Sequence, residues 1–276
     1  MKTCFTTVIY KQAFPFFSDL IESINAQTSQ SFDLLIINDN YSKAELESLS
    51  IPEGAKVVDL SDKHLSIAGT RIEMLRAAKE MGYDLAIMGD ADDTFSPDRV
   101  EGVLKAAELD KDSVFFYNKL VKAKVENEGF TYQDVFTCIP SQVADITPIA
   151  QENFLGMSTT AIRLDALSEE FIDSLYEGDS NVFDWYLFSR ILLDLGGGRL
   201  CENGATIYRI YDNNEVGTTR DLEKEKTVKL SHYGNLAKRY PMFQRLHDKL
   251  QSIDVTKLDL AKDHQGYWWS DIKLES

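Results

Sequence analysis

The chain reads as an α/β protein: a mostly parallel central sheet flanked by helices, with a helical C-terminal extension. Three observations point there. Apolar strand-like runs alternate with segments of helical periodicity over the first 120 residues, the pattern of a sheet covered by helices. Several of these runs are continuous Val, Ile and Leu, as strands buried on both faces are. One run, Leu85-Ala86-Ile87-Met88-Gly89-Asp90, passes directly into Ala91-Asp92-Asp93, so charged side chains collect where a strand leaves the core.

Taken in order, strands are expected at Cys4 to Tyr10, Phe32 to Asp39, Ala55 to Leu60, Leu85 to Asp90 and Ser113 to Asn118. Helices are expected at about Pro15 to Gln27, Lys43 to Leu49, Ile67 to Met81 and Pro97 to Leu109. The third places Ile67, Met74, Leu75, Ala78 and Met81 at roughly helical spacing. Ser96-Pro97 offers an N-cap and a first-turn proline to the fourth. From Leu120 to Leu155 the pattern loosens into a long excursion of mixed structure. Order returns with Met157 to Ile162, a helix from Phe183 to Leu195 and a short strand from Ala205 to Tyr211. Gly196-Gly197-Gly198 is expected to cap and turn that helix, since glycine accepts left-handed dihedrals. From Asp221 a helical tail carries Tyr233, Leu236, Tyr240, Phe243 and Leu246. The aromatic run Tyr267-Trp268-Trp269 lies near the end. The boundaries that follow are a main domain over 1–218, with halves 1–118 and 119–218, and an extension over 219–276.

Composition narrows the function. The chain is 43% hydrophobic and 11% aromatic over 276 residues, ample for a large core. Its net charge is −16, from 29 basic and 45 acidic residues, and no basic block appears. That is not the electrostatic footprint of a nucleic-acid binder. No stretch approaches the roughly 20 apolar residues of a membrane span, and the first residues lack the apolar core of a signal peptide. Cys4, Cys138 and Cys201 are odd in number and far apart; with no disulfide framework to build, a cytoplasmic location is expected. Cys4 and Cys201 are expected to be core thiols.

The aspartates carry the chemistry. Asp90, Asp92 and Asp93 sit together at a strand end. Like charges that close repel, and a cation relieves them. A hard divalent ion, Mn2+ or Mg2+, takes one or two carboxylates plus phosphate oxygens from a substrate. On a sheet of this kind ligands bind beyond the carboxyl ends of the strands, so Asp39 and the Asp90 cluster can face one crevice. Neither the Gly-x-Gly-x-x-Gly fingerprint, the phosphate loop nor the Gly-x-Ser-x-Gly elbow is present. His64, His232, His247 and His264 form no metal-ligand pair at helical spacing.

The constellation that remains resembles the family 2 glycosyltransferases of the GT-A fold, over residues 3 to about 217. Thr7-Val8-Ile9-Tyr10 ends the first strand where the family often has Tyr-Asn; Lys11 replaces the Asn here. Ile36-Ile37-Asn38-Asp39-Asn40 is similar to the family's Asp-Asp-Gly-Ser or Asp-Asn-Ser turn. Ile67-Ala68-Gly69-Thr70-Arg71 resembles its Gly-x-x-x-Ala-Arg-Asn helix start. Gly89-Asp90-Ala91-Asp92-Asp93 followed by Pro97 is similar to its Asp-Ala-Asp-Asp and Pro, the strongest match. Phe183-Asp184-Trp185-Tyr186-Leu187 resembles its Glu-Asp-x-x-Leu segment, with Phe183 in place of the Glu. Tyr208-Arg209-Ile210-Tyr211 is similar to a following Tyr-Arg strand.

The resemblance implies a metal-dependent, inverting transfer of sugar from a nucleotide diphosphate donor, with UDP favoured, to a saccharide or lipid-linked acceptor. It implies donor binding by Tyr10, Asp39, Arg71 and Asp90. Asp39 would face the pyrimidine edge, Arg71 the base or a phosphate, and Asp90 the ribose or the metal. It implies Mn2+ or Mg2+ at Asp92 and Asp93, and Asp184 as the catalytic base. For each residue a plain alternative stands: an N-cap for Asp184, a turn former for Asp39, a surface arginine paired with Glu73 for Arg71. Trp268 and Trp269 pack on the domain, bind sugar, touch a membrane or make a homodimer. Three other functions compete. A haloacid-dehalogenase-like phosphatase fits Asp90-Ala91-Asp92-Asp93-Thr94, but three strands precede it and Gly178-Asp179 lacks the further Asp of that class. A sugar-nucleotide pyrophosphorylase needs a Gly-rich basic loop that Tyr10 to Pro15 does not provide. A non-catalytic sugar-binding protein would not need all three aspartates and Asp184.

Overall fold

The computed structural model describes residues 1–126, 129–178, 180, 182–209, 221–258 and 266–274. Ile210, Tyr211, Asp179, His264 and the expected boundary at 218 lie outside them. The chain order is β1 (Thr3–Ile9), α1 (Phe17–Asn25), β2 (Asp33–Asn38), α2 (Lys43–Ser48), β3 (Lys56–Asp59), α3 (Ile67–Glu80), β4 (Leu85–Asp90), β5 (Thr94–Phe95) and α4 (Arg99–Leu109). Then come β6 (Phe115–Glu126), β7 (Gly129–Asp134), β8 (Gln142–Val143), β9 (Thr160–Arg163), α5 (Glu169–Ser174), α6 (Phe183–Asp194), β10 (Gly198–Tyr208), α7 (Leu222–Ala237) and α8 (Pro241–Gln251).

The expected α/β alternation is the one found. One sheet runs in the order β3-β2-β1-β4-β9-β6-β10-β5, with β7 on β6 and β8 on β10. β1, β2, β3 and β4 pair in parallel, as do β6 and β10, and these ladders hold most of the paired residues. β9 lies antiparallel between β4 and β6. The chain therefore runs outward from β1 to β3 and returns on the other side with β4. That reversal opens a crevice at the carboxyl ends of β1 and β4.

Side-chain alternation builds two cores from the same strands. Cys4, Val8, Leu35, Ile37, Ala86 and Met88 point to the layer of α3, α6, α7 and α8. Phe5, Ile9, Leu34, Ile36, Leu85 and Ile87 point to the layer of α1 and α4. This is why those runs read as uninterrupted apolar sequence. Cys4 and Cys201 are buried thiols, while Cys138 is exposed.

Local chemistry fixes the helix ends. Ser42 and Glu45 form a reciprocal capping box on α2, and the Ser66 hydroxyl accepts from the Gly69 N–H at the start of α3. The fourth helix departs from expectation. It begins at Arg99 after Asp98, not at Pro97. Ser96 is used otherwise: its hydroxyl donates to Asp98 at 2.7 Å and accepts the Ala205 N–H at 2.8 Å, tying the loop to β10. β10 is also longer than expected, starting at Gly198. Gly196 sits at φ +154° after α6, the expected turn, while a Cβ at Gly198 would lie 2.2 Å from the Phe115 ring. The glycine triplet thus ends a helix and lets a strand approach β6.

The expected helical tail is α7 and α8, with Tyr233, Leu236 and Phe243 fully buried against the main domain. Arg190 on α6 holds them there. It donates to Tyr240 at 2.9 Å, to Ser174 at 2.8 Å and to Asp194 at 3.0 Å. Residues 266–274 then return across the domain in a non-helical path, and among the described residues no helix is long and apolar enough to cross a membrane.

Candidate active site

A cavity of about 200 Å³ opens at the crevice beyond β4. Four of the residues named from the sequence, Arg71, Asp90, Asp93 and Asp184, line it together with Ser158, Tyr208, Trp268 and Trp269. They come from α3, the β4 end, the loop after β4, and the first turn of α6. Nothing local links them; the parallel sheet and the packing of α6 bring them to one place.

Arg71 is not the surface arginine paired with Glu73. Glu73 pairs with Lys63 and Arg76. Arg71 instead forms an ion pair with Asp90. Burial alone would disfavour its charge, but Asp90, and beyond it Tyr10 and Asp92, hold the guanidinium firmly protonated. Its Nη1 is buried with no hydrogen-bond partner among the described residues. A buried cationic donor without a partner, on a residue that lines a cavity, favours a nearby anionic oxygen.

The aspartates divide by environment. Asp93 is 3% exposed. Burial, then the charges of Asp90 and Asp92, push its carboxyl well above the usual range. Its Oδ1 accepts the Arg209 N–H at 3.3 Å, and Arg209 also donates to the Asp92 carbonyl at 3.0 Å and to Asp19 at 2.7 Å. A divalent ion would relieve that crowding, and the donor set fits one: two adjacent carboxylates with phosphate oxygens completing the sphere. Among the described residues no group of three or more His, Cys, Asp or Glu side chains is placed to hold a metal ion by itself.

Asp184 is the second residue of α6 and does not cap it; Val182 holds the N-cap position. One oxygen accepts the Trp185 N–H at 2.7 Å. Burial raises its pKa to about 7, with the Asp90 charge adding to the rise and the Trp185 N–H and Arg71 opposing it. A carboxyl poised there can take a proton at neutral pH.

Asp39 follows β2 and its side chain accepts from the Thr70 hydroxyl at 2.9 Å. It does not line the cavity but lies at the same carboxyl-end edge, hydrogen-bonded to Thr70, the residue before Arg71 on α3. Tyr10 follows β1, one residue beyond the expected strand's observed end at Ile9, and its carbonyl accepts from Tyr41 at 3.1 Å.

Beneath the aspartate loop lies a buried polar network that sequence reasoning missed. Arg99, fully buried, donates to the Met88 and Ser158 carbonyls at 2.6 and 2.8 Å and to Asn118 at 2.8 Å. Its guanidinium lies over the Phe95 ring at 4.4 Å, and burial lowers its pKa to about 9. Thr206 donates to the Ser158 carbonyl, and the Ser158 hydroxyl accepts the Asp90 N–H at 3.1 Å. Gly89 lets the strand end settle there, since a Cβ would lie 2.6 Å from Phe95. An arginine opening an amphipathic helix reads as a surface residue, and no local signal marks Ser158.

Residues 7–167 match the family described as Glycosyl transferase family 2. This is more than half of the chain, and the chain belongs to that family of enzymes. A Haemophilus influenzae protein described as an uncharacterized glycosyltransferase is 31% identical over 115 residues, 41% of this chain and 37% of that protein. The chain thus aligns with well under half of that relative's length. Among solved structures, S. aureus TarS 1-349 in complex with UDP-GlcNAc is similar with a TM-score of 0.56 at 15% identity, over 93% of this chain and 74% of TarS. The same TarS fragment in complex with UDP gives 0.51 at 15% identity over the same shares. At such identities the likeness is one of fold, and it is the GT-A fold that the sequence leads one to expect.

Proposed function

We propose that this chain transfers a sugar from a nucleotide diphosphate donor, a UDP-sugar, to a hydroxyl of a saccharide or lipid-linked acceptor, with inversion. The observation that carries the reading is the convergence of Arg71, Asp90, Asp93 and the neutral-range base Asp184 on one cavity at the strand ends. The UDP and UDP-GlcNAc in the TarS structures support the choice of nucleotide.

In this reading the Arg71 guanidinium, whose Nη1 is unpartnered among the described residues, binds a diphosphate oxygen. Asp39 accepts from the pyrimidine N–H, and Tyr10 packs beside the nucleotide. Asp90, held by Arg71 and Ser158, orients the ribose. Asp92 and Asp93 would hold Mn2+ or Mg2+, which supplies positive charge to the leaving diphosphate. Asp184, on the same cavity, accepts the proton of the acceptor hydroxyl. The hydroxyl oxygen bonds to the anomeric carbon as the bond from that carbon to the phosphate oxygen breaks. The electron pair leaves with the diphosphate. Burial serves the base by raising its proton affinity, and serves Arg71 by strengthening its field.

The test is a thermal-shift comparison of UDP, GDP, CDP and dTDP with Mn2+. A ligand at about 100 times its Kd stabilises the native state by about 2.7 kcal/mol, so UDP should raise Tm well above the others. If none of the four moves Tm, the donor reading fails.

A further inference from the structure

The segment 266–274 is anchored by side chains that the transfer step does not use. Asn153 and Trp268 exchange two backbone hydrogen bonds of 2.9 Å. Glu225 on α7, 4% exposed, accepts the N–H groups of Asp271 and Ile272 at 3.2 and 2.8 Å. Lys229, fully buried, pairs with Glu225 at 2.9 Å and donates to the Ile272 carbonyl. Gln151 exchanges hydrogen bonds with the Leu274 backbone at 2.7 and 3.1 Å. A buried ion pair spent on main-chain groups of another segment fixes that segment's path.

Between the anchors Trp269 adopts φ +62°, a left-handed conformation that a bulky residue rarely takes and that persists only where the surroundings impose it. The result is an indole at the cavity wall. Among the described residues its ring stacks on no aromatic or cationic partner and its N–H has no acceptor. Trp268 is different. It packs edge to face on Phe136 at 5.0 Å. Its outer edge and Asp184 Oδ2 come within 3.5 and 3.7 Å of the point a Cβ on Gly156 would occupy. The Trp268 indole therefore lies close to Asp184, and both indoles line the cavity that Asp184 lines.

We propose that Trp269, walled by Trp268, is the platform on which a sugar ring of the acceptor stacks, so that the C-terminal segment selects a saccharide acceptor and offers its hydroxyl to Asp184. This rests on the transferase reading above and adds the acceptor class to it. The C–H face of a pyranose is apolar and suits the electron-rich face of indole, and the indole N–H can donate to a ring hydroxyl. Placement on the cavity that Asp184 also lines sets this apart from a membrane contact.

The test uses saturation-transfer NMR with methyl glycosides of glucose, galactose, N-acetylglucosamine and N-acetylgalactosamine, and calorimetry with UDP and Mn2+. Glycine takes a left-handed φ without strain, so Trp269→Gly removes the ring and suits the backbone. At least one glycoside should bind the wild type and Trp269→Phe. Trp269→Gly should weaken it by about tenfold, the scale of one lost aromatic stack, with UDP affinity unchanged. Should that variant fail to fold, Trp269→Leu fills the space without a π face and should lose the glycoside equally. Binding retained in the Gly or Leu variant overturns the proposal, as does a wild type that binds no glycoside or that instead responds only to phosphatidylglycerol vesicles. Glycoside binding without UDP binding would overturn the donor reading alone; UDP binding without glycoside binding would overturn this proposal alone.

Discussion

Asp184→Asn should make the protein more stable at alkaline pH while removing its turnover. The carboxyl's folded-state pKa is raised from 3.8 to about 7, so the folded state holds a proton that the unfolded chain gives up near pH 4. Its contribution is fully present below about pH 4 and is lost as pH rises through 7. At 1.36 kcal/mol per pK unit the penalty approaches about 4 kcal/mol at pH 8. Some cavity access and the nearby Arg71 screen it, so about 2 kcal/mol is the working figure. Asn has no charge to bury and keeps the acceptor for the Trp185 N–H. The variant should therefore match the wild type near pH 4 and exceed it by about 4 °C in Tm at pH 8. Turnover should fall by about 10²–10⁴-fold, the usual contribution of a positioned base, with UDP affinity unchanged. Wild-type kcat/KM should rise with pH through an ionisation near 7. The assays are thermal melts from pH 4 to 8 and UDP release with acceptor present. A Tm gain independent of pH, or a variant with full turnover, would refute the reasoning.

Asp92→Asn or Asp93→Asn should abolish the Mn2+ or Mg2+ requirement of UDP binding and lower turnover with it; calorimetry showing equal wild-type affinity in chelator and in Mn2+ would sink the metal site. Asp39→Ala should reduce UDP affinity by roughly 1–3 kcal/mol, the cost of a lost charged hydrogen-bond partner, without a change in Tm; normal binding would leave Asp39 a turn former held by Thr70. His232 stacks on Trp185 at 3.9 Å with both ring nitrogens unpartnered among the described residues, and burial lowers its pKa to about 3. Its contribution is full above pH 6.5 and is lost as pH falls toward 3, so His232→Phe should recover roughly 2 kcal/mol at pH 5 relative to pH 8. An equal effect of that variant at both pH values would mean the imidazole is not what acid attacks.

The strand and helix alternation was legible because each strand of the first half meets a core on both faces. Cys4 and Phe5, or Leu34 and Leu35, are adjacent in sequence and buried on opposite sides, leaving no polar position to confuse the pattern. The aspartate loop was legible because three carboxylates after a buried strand have few structural uses. Asp184 as a residue of the site was legible only through its family-like surroundings. Its place in the first turn, rather than at the cap, depends on how the chain enters α6.

Other features were decided by partners far away in sequence. β9 inserts antiparallel between β4 and β6, and its four residues carry no sign of their neighbours. Arg71 could have paired with Glu73 on its own helix; burial at the strand ends gave it Asp90 instead, while Lys63 and Arg76 took Glu73. Ser158 and Arg99 matter because Met88, Asn118 and Thr206 converge on them, across up to 88 residues for the Asn118–Thr206 bond. Trp268 and Trp269 reach the cavity because a buried Glu225–Lys229 pair on α7 pins the chain after them. Sequence alone determined the layers and the gathering of carboxylates at the strand ends, since both follow from side-chain period and charge. Only the tertiary structure decided which charges pair and which aromatic rings line the cavity, because these depend on distances between segments that local pattern does not encode.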